Sequence, residues 1–227
     1  MLVSLSGIDG VGKTTIAKAV VKALSANGVS AVYSRPKFRT CKQFEYFHFQ
    51  ASGNPTSFNT EPDATIYFHA LIIDWLSHLH DFIVQKKKEV IILDRYVYDV
   101  LAQGLHIGAN IGEFDWFFEK MPKVSIDIFL RIDPDVCSRR ILSRDGEVLR
   151  VFETNSNLHR LAGIYDEIRS SENWIPEVIH NESVERTTGL VLAMIDRALL
   201  DWHFPNQYCK SSPLAKFCLS CENYDYP

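Results

Sequence analysis

The chain has 227 residues, 46% of them apolar, and 24 basic against 28 acidic side chains leave a formal charge of −4 at pH 7. That length fits one α/β domain with a short appendage and is cramped for two. The acidic balance makes nucleic acid an unlikely partner, no run approaches the roughly 18 apolar residues of a membrane span, and five cysteines, mostly late in the chain, do not read as a secreted disulfide framework.

Leu2 to Ser6 is an apolar run too short for a helix and runs straight into glycines, so it reads as a strand and turn, not a signal peptide. The cytoplasm is the expected location. Ile16, Ala19, Val20, Ala23 and Leu24 recur at helical spacing and predict a helix from Lys13 to about Ala26, stopped by Asn27-Gly28. Val29 to Tyr33 reads as a second strand. Arg35 to Asp63, rich in Phe, Ser, Asn and Pro, has no clear period and is expected to be an irregular segment folded over a site. Its aromatic group Tyr46-Phe47-His48-Phe49 either closes this segment over the core or packs against an unusual acceptor. Ala64 to Gln85 predicts a helix with an apolar face of Phe68, Leu71, Ile72, Trp75 and Leu79, and Lys86-Lys87-Lys88 a solvated helix end. His69, His78 and His80 lie on or beside it and read as structural or solvent-exposed. Val90 to Asp94, Ile126 to Ile132 and Pro176 to His180 read as further strands, with helices over Pro134–Ser143, Asn157–Ser170 and Thr187–Trp202. Strands alternating with helices imply a parallel sheet covered on both faces.

Gly7-Ile8-Asp9-Gly10-Val11-Gly12-Lys13-Thr14 fits G-x-x-x-x-G-K-[ST] and lies between a strand and a helix, as a phosphate cradle requires. Glycines allow a tight turn that points backbone N–H groups at phosphate oxygens, and the helix N-terminus adds partial positive charge. Gly7, Gly10, Val11, Gly12, Lys13, Thr14 and Thr15 are therefore the expected ATP-binding residues. Lys13 would bridge the β- and γ-phosphates and the Thr14 hydroxyl would bind Mg²⁺. Val90-Ile91-Ile92-Leu93-Asp94 delivers a carboxylate at the C-terminal end of a buried strand, so Asp94 is the second expected Mg²⁺ partner.

Gly7 to Thr15, Asp94-Arg95-Tyr96 followed by Ala102-Gln103-Gly104, and Phe129-Leu130-Arg131-Ile132-Asp133-Pro134 leading into Arg139, Arg140 and Arg144 together resemble the thymidylate kinases. Arg150-Val151-Phe152-Glu153 and Tyr165 fall where that family has its post-lid helix, so the resemblance covers residues 1 to about 200. It implies an α/β three-layer sandwich of the P-loop NTPase type: a five-stranded parallel sheet, helices on both faces, and a short arginine-bearing lid at about 139–150. It implies a kinase domain over residues 1–203 and a homodimer packed through helices. By the resemblance Arg95 binds the acceptor's 5′-phosphate, Asp9 approaches its sugar hydroxyl, Phe68 stacks on its base, and Arg35 and Gln103 complete the acceptor site. Arg139 and Arg140 would bind ATP, and Arg144, beside Asp145-Gly146, is the expected catalytic lid arginine, joining Lys13, Arg95 and Asp9.

The chain departs from the family on the acceptor side. Ser34-Arg35-Pro36-Lys37-Phe38-Arg39 replaces an Arg-Glu-Pro-Gly-Gly-Thr segment. His69 to Asp74 contains no arginine to read a base carbonyl, a loss of about 1.5–3 kcal/mol of specificity for a charge-assisted bond. Asp74 would instead favour a donor on the ligand, and Asp99 stands where the family has a small hydroxyl residue.

The expected activity is ATP- and Mg²⁺-dependent transfer of the γ-phosphoryl group to a nucleoside monophosphate, dTMP or a modified relative. One alternative is a kinase of a nucleoside or hydroxymethylated base. The other is a nucleotide-dependent switch or binding module, although no guanine-reading Asn-Lys-x-Asp segment occurs. After Trp202 the pattern changes. Residues 204–227 read as an appendage in which Cys218-Leu219-Ser220-Cys221, completed by His203 or Cys209, forms either a zinc site or a set of ordinary reduced thiols.

Overall fold

The computed structural model of the chain describes residues 1–52, 63–80, 90–144, 153–171 and 174–203. Five parallel strands, β1 (Leu2–Ser6), β2 (Ala31–Ser34), β3 (Val90–Asp94), β4 (Ile126–Arg131) and β5 (Glu177–His180), form one sheet in the order β2-β3-β1-β4-β5. Eight α-helices accompany them among the described residues: α1 (Lys13–Ala26), α2 (Thr40–Ser52), α3 (Asp63–Leu79), α4 (Val97–Ile107), α5 (Asp115–Lys120), α6 (Pro134–Leu142), α7 (Asn155–Ser171) and α8 (Val184–His203). The result is the three-layer α/β fold expected from the alternating pattern.

β3 shows why its sequence is continuously apolar. Val90 and Ile92 join a core with α1, α7 and α8, whereas Ile91 and Leu93 join a second core with α3 and α4. Side chains alternate across a strand, so a sheet covered on both faces needs apolar residues at every position. β1 lies between β3 and β4, and chain order reverses there. In open parallel sheets that switch point opens a crevice beyond the strand C-termini. Both Gly7–Thr15 and Asp94-Arg95 emerge into it.

The segment after Arg35 is not irregular throughout, because Thr40–Ser52 is helical. Its N-terminus is capped from another element: both carboxylate oxygens of the buried Asp74, on α3, accept from backbone N–H groups, Thr40 at 2.9 Å and Cys41 at 3.1 Å. A cap supplied by a residue more than 30 positions away leaves no local pattern. It also corrects the ligand role expected for Asp74. Of the aromatic group, Tyr46 and Phe47 are 60% and 68% exposed and do not close over the core. His78 is buried with Nε2 2.7 Å from Ser34 Oγ, and His69 is exposed against Phe114. The lid beyond Arg144, with Arg150, and the cysteines of the C-terminal appendage lie outside the described residues.

Candidate active site

The glycine-rich loop is shaped by what lies behind it. Gly12 has φ of 104°, and a Cβ there would lie 2.5 Å from Asn181 Nδ2. Gly10, at φ 82°, is backed as closely by the Cys137 carbonyl of α6. Asn181 follows β5, donates to the Val11 carbonyl at 2.5 Å and accepts from Thr187 Oγ1 at 2.9 Å, so it pins the loop to the start of α8. A polar residue directly after a strand C-terminus is the same sign that marks Asp94, but one residue in a short, largely exposed strand did not stand out from sequence.

Lys13 opens α1 and is 5% exposed, with Nζ donating to the carbonyls of Gly7 at 2.6 Å and Ile8 at 2.9 Å. Burial, then the neighbouring charge of Arg95, pulls its pKa below the usual lysine value, and Asp9, 3.9 Å from Nζ, acts in the opposite sense. Thr14 Oγ1 donates to Asp94 Oδ2 at 2.5 Å, and Tyr33 Oη reaches the same oxygen at 2.9 Å. Burial, and then the Asp94 charge, push the Tyr33 phenol up to about 12, so it remains a donor at neutral pH. Tyr33 is a site residue that its place at a strand end did not reveal. The other carboxylate oxygen, Asp94 Oδ1, is buried with no hydrogen-bond partner among the described residues.

Arg95 follows directly, at φ 83°, the one non-glycine residue with positive φ among the described residues. Such a conformation costs on the order of 1–3 kcal/mol and is held by its N–H on the Leu5 carbonyl at 3.1 Å and by two carboxylates. Nη2 donates to Asp9 Oδ1, and Nη1 lies 3.8 Å from Asp99 Oδ1. Burial would lower the Arg95 pKa, but Asp9 and Asp99 outweigh it and raise it. Asp99, 1% exposed, also accepts from Tyr165 Oη at 2.7 Å, from the Tyr96 N–H at 3.0 Å and from the Gly7 N–H at 3.4 Å. The residue that stands in place of a small hydroxyl thus ties the loop, the arginine and α7 together.

One cavity of about 580 Å³ collects most of these groups. It is lined by Asp9, Gly10, Gly12, Lys13, Thr14 and Thr15 of the loop and α1, by Arg35, Asp94 and Arg95, and by Arg140, Arg144, Glu153 and Asn181. Arg144 pairs with Glu153 at 3.1 Å, and Arg35 Nε stands 4.0 Å from Asp94. Gly7 and Val11 are not among its lining residues. Arg139 points to solvent and Gln103 lies on α4; neither lines the cavity. Phe68 is fully buried, edge-on to Phe114 at 4.8 Å and packed over Gly104, so it offers no face to this cavity. Its sequence position resembles that of a base-stacking residue, but its packing is that of a core residue.

A cradle of backbone N–H groups, a buried lysine, a hydroxyl–carboxylate pair and converging arginines define a nucleotide-binding phosphotransferase. The thymidylate kinase family profile matches residues 5–189, and the chain belongs to that family. A thymidylate kinase of Xylella fastidiosa (strain 9a5c) is 28% identical over 196 residues, covering 86% of this chain and 90% of its own. A probable thymidylate kinase of Sulfurisphaera tokodaii is 27% identical over 76% of this chain and 84% of its own, and a thymidylate kinase of Xanthomonas euvesicatoria pv. vesicatoria 28% identical over 73% and 70%. The protein is a nucleotide kinase. No described helix is long and apolar enough to cross a membrane.

Proposed function

We propose that the protein transfers the γ-phosphoryl group of ATP to the phosphate of a nucleoside monophosphate, with dTMP the first acceptor to test. The observation that carries this reading is that Lys13 and Thr14 share one cavity with the Asp94-Arg95 pair and three further arginines, Arg35, Arg140 and Arg144. Phosphoryl transfer spreads negative charge over equatorial oxygens, so fixed cations and positioning supply most of the catalysis.

The residues fit a magnesium ion. Asp94 Oδ1 is an orphaned buried acceptor beside the Thr14 hydroxyl, and a buried carboxylate oxygen without a partner is costly unless a cation satisfies it. Thr14 and Asp94 would hold the ion, which when bound neutralises charge on the β- and γ-phosphates.

The remaining roles are read from the residues that line the cavity. Lys13 would exchange its two loop carbonyls for phosphate oxygens. Arg95, held between Asp9 and Asp99, would turn its planar fork from Asp9 to the acceptor phosphate. Arg140 and Arg144 line the same cavity and would approach the transferring group. An oxygen of the acceptor phosphate attacks the γ-phosphorus, a new P–O bond forms, and the bond to the β-phosphate oxygen breaks to release ADP. That nucleophile is already anionic and needs no general base. Among the lining carboxylates Asp9 pairs with Arg95 and Glu153 with Arg144, while Asp94 accepts from Thr14 and Tyr33 through Oδ2 and keeps Oδ1 for the ion. A hydroxyl acceptor, which needs a base, fits this cavity less well.

A coupled assay of ADP release, run over nucleoside monophosphates and the matching nucleosides, tests the proposal. Turnover with at least one monophosphate and none with its nucleoside is expected. Turnover only with nucleosides, or ATP hydrolysis that no acceptor accelerates, refutes it.

A further inference from the structure

A second cavity of about 270 Å³ adjoins the first, and the two share Arg35 as a lining residue. Lys37 and Arg39 supply two more cations to it, all three from the short segment between β2 and α2, and Ser77 and His78 face them from α3. One carboxylate, Asp74, also lines it, but both its oxygens are engaged by the backbone N–H groups of Thr40 and Cys41. Neither Lys37 nor Arg39 forms an ion pair with any described residue. Three basic residues thus line a concave space whose single acid is already occupied, and of the three only Arg35 has an acid within ion-pair distance among the described residues, Asp94 at 4.0 Å.

Its volume is about nine times the roughly 30 Å³ that one water takes in the liquid, ample for a phosphate or carboxylate group with its hydration. The expected base platform is not offered among the described residues: Phe68 is fully buried against Phe114 and over Gly104, and the helix that carries it has no arginine between His69 and Asp74. The shared lining residue makes the geometry directional. A ligand whose phosphate lies between Arg95 and Arg35 can extend past Arg35 towards Lys37 and Arg39.

We infer that this second cavity is an anion subsite and that the acceptor carries, besides the phosphate that is phosphorylated, a second anionic group, a phosphate or a carboxylate. The inference rests on the nucleoside monophosphate reading above and narrows its substrate class. Arginine and lysine together suit either anion, and the exposed heads of Lys37 and Arg39 make the attraction sensitive to salt.

The test is calorimetric binding, which does not depend on turnover, with two matched pairs of probes. Thymidine 3′,5′-bisphosphate against dTMP reports a second phosphate, and orotidine 5′-monophosphate against UMP reports a carboxylate on the base. The doubly anionic member of at least one pair should bind about tenfold more tightly at low ionic strength. In the Lys37→Ala/Arg39→Ala protein, with folding checked by its thermal transition, that ratio should fall to about one, and added salt should shrink it in the parent protein. The inference is overturned if neither pair shows a preference, or if the preference survives the double substitution. Failure of every mononucleotide to be phosphorylated, with the binding preference intact, would instead count against the reading of the reaction and leave the subsite standing.

Discussion

Tyr165 and Asp99, 66 positions apart in sequence, meet through a buried 2.7 Å hydrogen bond. The bond joins α7, which follows the lid, to α4, which follows Arg95, and the same carboxylate accepts from the Gly7 N–H. Burial, then the Asp99 charge, raise the Tyr165 pKa well above its usual value, so the phenol remains a donor throughout the ordinary pH range. Asp99→Ala would orphan the Tyr96 and Gly7 N–H groups, leave the Tyr165 hydroxyl only the Gly7 carbonyl at 3.4 Å, and leave the buried Arg95 without one of its two paired acids. Breaking a buried charge pair costs about 3–5 kcal/mol. Chemical denaturation should show a loss of that order for Asp99→Ala, and a smaller one for Asp99→Asn, which keeps an acceptor for Tyr165.

Lys13→Ala tests the phosphate cradle. Its side chain lines the cavity, so water can take the place of the ammonium on the Gly7 and Ile8 carbonyls and beside Asp9. The protein should stay folded by circular dichroism, while kcat falls by about 10²–10³ or more, the usual cost of removing a preorganised charge-stabilising donor.

Much of this arrangement was legible in the sequence because it is local. The cradle is eight consecutive residues, and Asp94-Arg95 stands directly after a continuous apolar run, so strand and chemistry announce each other. What stayed hidden depends on distant partners. Asn181 becomes a loop anchor only when β5 pairs with β4, Tyr33 becomes an Asp94 donor only when β2 pairs with β3, and α2 is capped from α3 by Asp74. Phe68 shows the opposite case: its helical spacing reads as a core residue and the family resemblance as a base platform, and its burial against Phe114 shows the core role.

Gly12 and Asn181 should behave as a coupled pair. Gly12→Ala would place a Cβ against Asn181 Nδ2 at 2.5 Å in a conformation that disfavours any side chain. Asn181→Ala removes that clash but frees the Val11 carbonyl and the Thr187 hydroxyl, a cost of about 1–3 kcal/mol. Each single variant should weaken ATP binding, and the double variant should lose less than the sum. Strict additivity in a double-mutant cycle would contradict the contact.

His106, buried on α4, carries a pH signature. Burial, and then the charge of Arg160, lower its pKa from 6.5 to about 4. Between those values the unfolded chain binds a proton that the folded chain refuses, so stability is gained as pH rises through this window and lost as it falls. Urea midpoints measured at about pH 7.5 and about pH 4.5 should fall more steeply for the parent protein than for His106→Gln. Parallel curves would mean that His106 does not titrate as described.

The most direct measurement of the account as a whole is transfer of label from γ-³²P-ATP to a nucleoside monophosphate, in the parent protein and in Arg95→Lys, which keeps a charge between Asp9 and Asp99 but loses the planar fork. The account predicts a labelled nucleoside diphosphate that appears only with magnesium, and a fall of at least about tenfold in kcat/KM for the acceptor in the variant. Labelled inorganic phosphate as the sole product, or equal transfer by both proteins, would contradict it.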